Sequence, residues 1–175
     1  MAKTIVHGEI NQVFGKLKTL LTQNKCKITA QETPQNLTVI QGSIWGTTAK
    51  TAQKKITYTL QQTPAETNIT SKACLTSAYI NFTVVGCVLS VALLAICGWI
   101  AVDLQGYVAN GAGFWGWLSQ TSGQFDSGKA AVFVRLSWIL AAFLVGSLAL
   151  EAYIVWKVHR GIGVFAQDMV KALQN

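Results

Sequence analysis

Charge is what this chain most lacks. Only 12% of its residues are Asp, Glu, Lys or Arg, against about 25% in an ordinary soluble domain. With 51% hydrophobic and 10% aromatic residues, this excludes a disordered chain, which is charge-rich and aromatic-poor. It also argues against a simple water-soluble globule. Acids are the scarcer sign, seven against 14 Lys and Arg. Histidine occurs twice, as His7 and His159, neither in a zinc or iron ligand spacing with Cys, Asp or Glu. The four cysteines, Cys26, Cys74, Cys87 and Cys97, form no Cys-x-x-Cys pair, and no disulfide framework is implied. A Walker phosphate loop, a dinucleotide loop, a nucleophile elbow and a usefully spaced pair of acids are all missing. An enzyme is therefore not expected, nor is a cofactor or a metal.

What is present is apolar and strongly segregated. Residues 73–102 carry no charge, and a second run, 130–156, carries Arg135 and Glu151 only toward its ends. A bilayer core needs about 20 apolar residues in a helix, and 175 residues cannot hide two such helices on all sides. The runs predict a transmembrane hairpin, with a first span at 75–104, an extracytoplasmic loop at 105–129 and a second span at 130–156. Tyr79 and Trp99 stand near the ends of the first, as in an aromatic belt. Basic residues flank the hairpin and not its loop. The positive-inside rule then places a multi-pass protein in the cell membrane with both termini cytoplasmic. The opening residues lack the apolar stretch of a secretory signal.

Residues 1–74 hold nine lysines and three acids and predict a cytosolic α+β domain of order β-α-β-β-β-β. Ile10, Val13, Phe14, Leu17, Leu20 and Leu21 recur at helical spacing over 9–23. Cys26, Ile28 and Ala30 alternate with polar residues, as do Ile56, Tyr58 and Leu60. Turns fall at Thr33-Pro34 and Thr63-Pro64. One helix can cover one sheet face; the other face, rich in Thr and Lys, is expected to be wet or held by a partner. Residues 157–175 predict an amphipathic helix whose stripe of Val158, Ile162, Phe165, Met169 and Leu173 packs on the N-terminal domain rather than lying on the membrane.

Candidate sites follow from these placements. Between the third and fourth strands, Gly42, Ser43, Trp45, Lys50, Lys54 and Lys55 combine freed backbone N–H groups with cations, the ingredients of an anion or phospholipid-headgroup loop. The plainer expectation is that Trp45 plugs the domain core and the lysines are solvated. Charges in spans are functional candidates by default. Asp103 and Arg135 are expected to pair at the outer side. Glu151, an intramembrane acid, is expected to reach Lys72, Lys157 or His159. Small residues four apart mark helix-packing faces: Gly86 and Ser90 in the first span, Ser137 with Ala141 and Ala142 with Gly146 in the second. In the loop, Phe114, Trp115 and Trp117 favour the membrane interface.

Together these features predict a non-enzymatic two-span membrane protein, an assembling or accessory subunit with the cytosolic domain as interaction module. Its partners would be the lipid bilayer and either further copies of itself or a larger membrane complex. The alternatives are a membrane-tethered domain binding a lipid headgroup or small ligand, and a small oligomeric channel or transporter. The lysines are too thinly spread for nucleic acid to be expected as a partner.

Overall fold

A computed structural model describes residues 2–64 and 66–174. The chain divides into two compact units. One takes 1–83 with 153–175, and the other takes 84–152.

The first unit is built on a five-stranded antiparallel sheet. Its strands are β1 (Ala2–His7), β2 (Lys27–Glu32), β3 (Asn36–Gln41), β4 (Lys54–Gln62) and β5 (Glu66–Leu75), and their spatial order is β1-β5-β4-β3-β2. Strict alternation decides which face is buried. Along β4, Ile56, Tyr58 and Leu60 point into the core, while Lys55, Thr57 and Thr59 point away. The pairing aligns Ile56 with Val39 and Leu60 with Ile69, so the buried rows keep register between β4 and its neighbours β3 and β5, whereas β2 shifts against β3 at Ile28–Ala30.

Helix α1 (Ile10–Gln23) covers this face with Val13, Phe14, Leu17 and Leu21. Its end is closed by Asn24, whose backbone N–H and side-chain amide both donate to the Leu20 carbonyl. A second helix, α4 (Val164–Lys171), lies on the same core and contributes Ala166 and Val170, with Phe165 and Met169 packed beside them. The opposite sheet face is helix-free. There Thr38 and Thr57 meet hydroxyl to hydroxyl at 3.3 Å.

Two helices are long and apolar enough to cross a membrane: α2 (Ser77–Asn110) and α3 (Ser127–Gly161). Their 84–110 and 127–152 portions, with the connection between them, make up the second unit. The connection between them is shorter and more ordered than the loop expected at 105–129, because α2 continues to Asn110. A 3-10 helix at Phe114–Ser119 follows. Two-residue strands β6 (Gln120–Thr121) and β7 (Gln124–Phe125) then form a hairpin. Ser122 and Gly123 turn it, both at positive φ, as the tightest hairpin turns require. Asp126 starts α3 by accepting the Lys129 N–H at 3.0 Å, a side-chain cap.

The far end of α3 also departs from expectation. The second span and the C-terminal helix were expected to part near residue 157, yet α3 runs unbroken to Gly161 and only 8 residues form α4. The reason is packing. Val158 is fully buried against Ala52 and Tyr79, so the polar run Lys157 to Arg160 stays helical around a buried residue.

Candidate functional site

The most constrained surface feature is the loop at 42–53, which leaves β3 and returns as β4. Its two ends are pinned together: the Ser43 N–H donates to the Thr51 carbonyl at 2.8 Å, and the Gln53 N–H donates to the Ser43 carbonyl at 2.9 Å. Inside it, the Thr48 and Thr51 hydroxyls lie 2.8 Å apart, and the Ala52 N–H reaches the Thr48 carbonyl at 2.8 Å. The backbone passes so close to itself that a Cβ at Gly42 would collide with the carbonyls of Thr51 and Ala52, and one at Gly46 with the Thr51 carbonyl and the Ala52 nitrogen; Gly42 is moreover at φ +93. These glycines therefore serve the loop's own closure and not an open anion cradle.

Lys54 completes the closure from below. Its side chain is fully buried. The ammonium donates to the Ala49 carbonyl, and to the Lys50 carbonyl at 3.1 Å. It also lies 5.4 Å from the centre of the Phe165 ring. Burial pushes its pKa down to about 8. Burial likewise pushes the neighbouring Cys26 thiol and Tyr58 hydroxyl up. The expectation of a solvated Lys54 is therefore corrected: it holds loop carbonyls. Lys50 is exposed, and Lys55 is exposed on the helix-free sheet face, opposite Ile40 and Cys74. The six loop candidates do not converge on one point.

Two further contacts fix the loop to the start of α2. Thr76 caps that helix by accepting the Tyr79 N–H at 3.3 Å, and its hydroxyl donates to the Gln53 side-chain oxygen at 2.7 Å. The Tyr79 hydroxyl, buried, donates to the Gly46 carbonyl at 3.0 Å. On the other side, a Cβ on Gly161 would stand 2.6 Å from the Ala49 methyl, so the end of α3 approaches the loop as only glycine allows.

Trp45 is the large side chain this scaffold leaves outside. It is 71% exposed, which corrects the expectation that it plugs the core. Its ring meets Phe82, six residues into α2, edge-on with centroids 4.5 Å apart. On α3 of the same unit, Arg160 stacks over Trp156 at 4.2 Å and Lys157 over Tyr153 at 5.8 Å. The signal for these contacts in the sequence lay in the aromatics and cations at the N-terminal end of the first apolar run and the C-terminal end of the second, where Tyr79 was legible as a belt residue and the cations only as basic flanks.

The second unit brings together a different set. Glu151 does not reach Lys72, Lys157 or His159. Its carboxylate instead accepts the Cys87 thiol at 3.3 Å, and its other oxygen occupies the space over Gly86, 3.1 Å from where a Cβ would stand. Gly86 gives the acid room between helices. Asp103 and Arg135 form no ion pair. The Asp103 carboxylate accepts the backbone N–H groups of Phe114 at 3.1 Å and Trp115 at 2.8 Å, the free donors that open the 3-10 helix. These donors lie closer in the chain than Arg135 and satisfy both oxygens. Arg135 lines an open groove with Gln105, Val108 and Val134. Around Asp103, Trp99, Phe114, Trp115 and Trp117 form a connected cluster, with neighbouring ring centres 5.1–6.1 Å apart.

The small residues divide between two environments. Ala141 is buried with Cys97 and Leu144 where the helices meet. Ser90 and Ser137 are half-buried. Ala142 and Gly146 are exposed, and a Cβ on Gly146 would meet nothing within 4 Å. Among the described residues, no group of three or more His, Cys, Asp or Glu is placed to hold a metal ion.

No protein family, curated protein or solved structure matches this chain.

Proposed function

We propose that this chain is a non-enzymatic two-span membrane subunit, with both termini cytoplasmic, that assembles through its spans with further copies of itself or with a larger membrane protein. The observation that carries the reading is the open small-residue face of α3. Helices in lipid associate by close van der Waals contact, because lipid already satisfies apolar surface. The α2–α3 pair uses Ala141 and Gly86 for its own approach, which leaves Ala142 and Gly146 facing outward with no partner in the chain. A helix from outside the chain fits that face. The basic flanks of the hairpin support the cytoplasmic placement of both termini.

The test is the native mass of the protein in mild detergent. Wild type is expected as an oligomer or with a co-purifying membrane partner, and Gly146→Ile is expected to shed either one. The isoleucine holds helices apart and leaves hydropathy high. A wild-type chain that runs as a lone monomer with nothing attached refutes the proposal.

A further inference from the structure

Trp45 poses a physical problem. A tryptophan 71% exposed on a loop leaves a large apolar body in solvent, and hydrophobic surface of this kind marks an interaction site when it is built and not incidental. Here it is built. Paired hydrogen bonds, two close glycine approaches, the Tyr79 hydroxyl and the buried Lys54 ammonium hold the loop beneath it. A loop with this many internal ties presents its side chain in one position, which removes much of the ordering cost of binding.

The height of Trp45 identifies the occupant. Tyr79 of α2 and Val158 of α3 pack together in one buried cluster. From that contact Phe82 lies one turn further along α2. Tyr153 and Trp156 lie about one turn further along α3 in the opposite chain direction, so all three stand at nearly one level, about 3–8 Å beyond it at 1.5 Å per residue. Trp45 touches Phe82 and so reaches the same level. Just below it stand Lys157 and Arg160, stacked on their aromatic neighbours. Above it, α2 carries no charge until Asp103. Aromatic rings with cations on one side and an uncharged apolar helix on the other describe the edge of a bilayer, where the amphipathic indole is most stable. A protein groove would offer no reason for the cations to line up just beneath the rings.

We propose that the loop at 42–53 is a membrane-surface anchor: Trp45, braced by Phe82, seats in the headgroup region of the phospholipid bilayer, level with Trp156 and just above Arg160, and fixes the sheet to the membrane surface. The inference rests on the reading that α2 and α3 cross the membrane. Anionic headgroups are the favoured contact for Lys157, Arg160 and the exposed Lys50.

The test uses the full chain in vesicles of phosphatidylcholine and phosphatidylglycerol, with Trp45 the only tryptophan and the others changed to Phe. Lipid brominated high on the acyl chain should quench most of its emission, lipid brominated near the chain end should quench less, and aqueous acrylamide should quench little. A companion chain that keeps only Trp138, in mid-α3, reports whether the helices span. Quenching of Trp138 by brominated lipid together with quenching of Trp45 by acrylamide alone overturns the anchor and leaves the spanning reading intact. Failure of brominated lipid to quench either residue overturns both. Should the multiply substituted chains not fold, the difference in emission between wild type and the single change Trp45→Phe gives the same readout. A difference component that acrylamide quenches and brominated lipid does not also overturns the anchor.

Discussion

Large apolar side chains that are buried in one unit of this chain have counterparts that are exposed in the other. In the sheet unit Leu17, Leu21, Leu37 and Leu60 are at most 1% exposed. In the helical unit Phe143 is 69% exposed, Ile139 66% and Val88 61%. Similar chemistry is turned inward in one place and outward in the other. The first arrangement is stabilised by withdrawing apolar area from water, about 25 cal/mol per Å². The second gains nothing in water and is stable only against an apolar surround. Exposure therefore carries no fixed meaning for a side chain until the solvent at that point is known. In the sheet unit an exposed tryptophan is the anomaly, and in the helical unit the anomaly is a half-buried acid.

The sharpest way to break this comparison is to put a charge on the outward face of the helical unit. Phe143 stands near the middle of α3, and its replacement by lysine would be nearly neutral on a water-facing helix. At the centre of a spanning helix it should cost about 2.5–3.5 kcal/mol of insertion free energy. Phe143→Lys is expected to shift the inserted fraction strongly in a glycosylation-reporter insertion assay. An unchanged inserted fraction would show that the outward face is not lipid-facing.

A smaller effect is expected toward the C-terminal end of α2. Asp103→Asn keeps the shape but weakens the two bonds to the Phe114 and Trp115 N–H groups. Hydrogen bonds to charged groups contribute about 1.5–3 kcal/mol, and Asp103 is only partly buried, so a loss of about 1–2 kcal/mol in unfolding stability is expected. Arg135→Leu should change stability far less, and the double change should be additive within about 0.5 kcal/mol. A strong coupling energy in that cycle would restore the ion pair that Asp103 does not make here.

The smallest effect is a pH slope. Burial depresses the Lys54 pKa to about 8 from its ordinary 10.5. Between those values the unfolded chain binds the Lys54 proton and the folded chain does not. Stability contributed by this site therefore rises with pH over that window. Plotted against pH, the melting temperature of wild type should climb relative to Lys54→Met from about pH 8 to 10.5 and run parallel below pH 8. Parallel curves across the whole range would mean that Lys54 is solvated.

The sheet and the two apolar helices were legible because both are written as periodicities. Alternation over Lys55 to Leu60 marks a half-buried strand, and an uncharged run of the length of 73–102 has few other interpretations. Side-chain destinations were less legible. Trp45 in a glycine-rich loop looks the same in sequence whether it points in or out; closure of the loop by Lys54 decides the matter, and that lysine resembles its solvated neighbour Lys55. Asp103 and Arg135 were matched because their signs are opposite and their levels similar. Backbone donors in the next turn of chain leave no trace in a residue-type pattern, and they captured the acid first. Glu151 was read toward cations at the inner end of α3, whereas Gly86 and Cys87 made a small polar niche across the helix pair. The end of α3 was misread because polar residues were taken as a boundary, although one buried valine among them was enough to carry the helix through.

The sheet unit is assembled from two stretches separated by the whole of 84–152. Ala166 and Val170 of the second stretch sit in the same core as Val13 and Leu17 of the first, and the Gln174 side chain donates to the Ile5 carbonyl of β1 at 2.8 Å. During synthesis the strands and α1 emerge before α4, so the apolar floor they share stays open until α4 has been made. If α2 and α3 thread the bilayer as a pair, those last residues return to the side where the sheet is waiting. If only one threads, α4 is stranded across the membrane and the floor stays uncovered. The core of the sheet unit is therefore completed only by a stretch that lies beyond 84–152 in the chain.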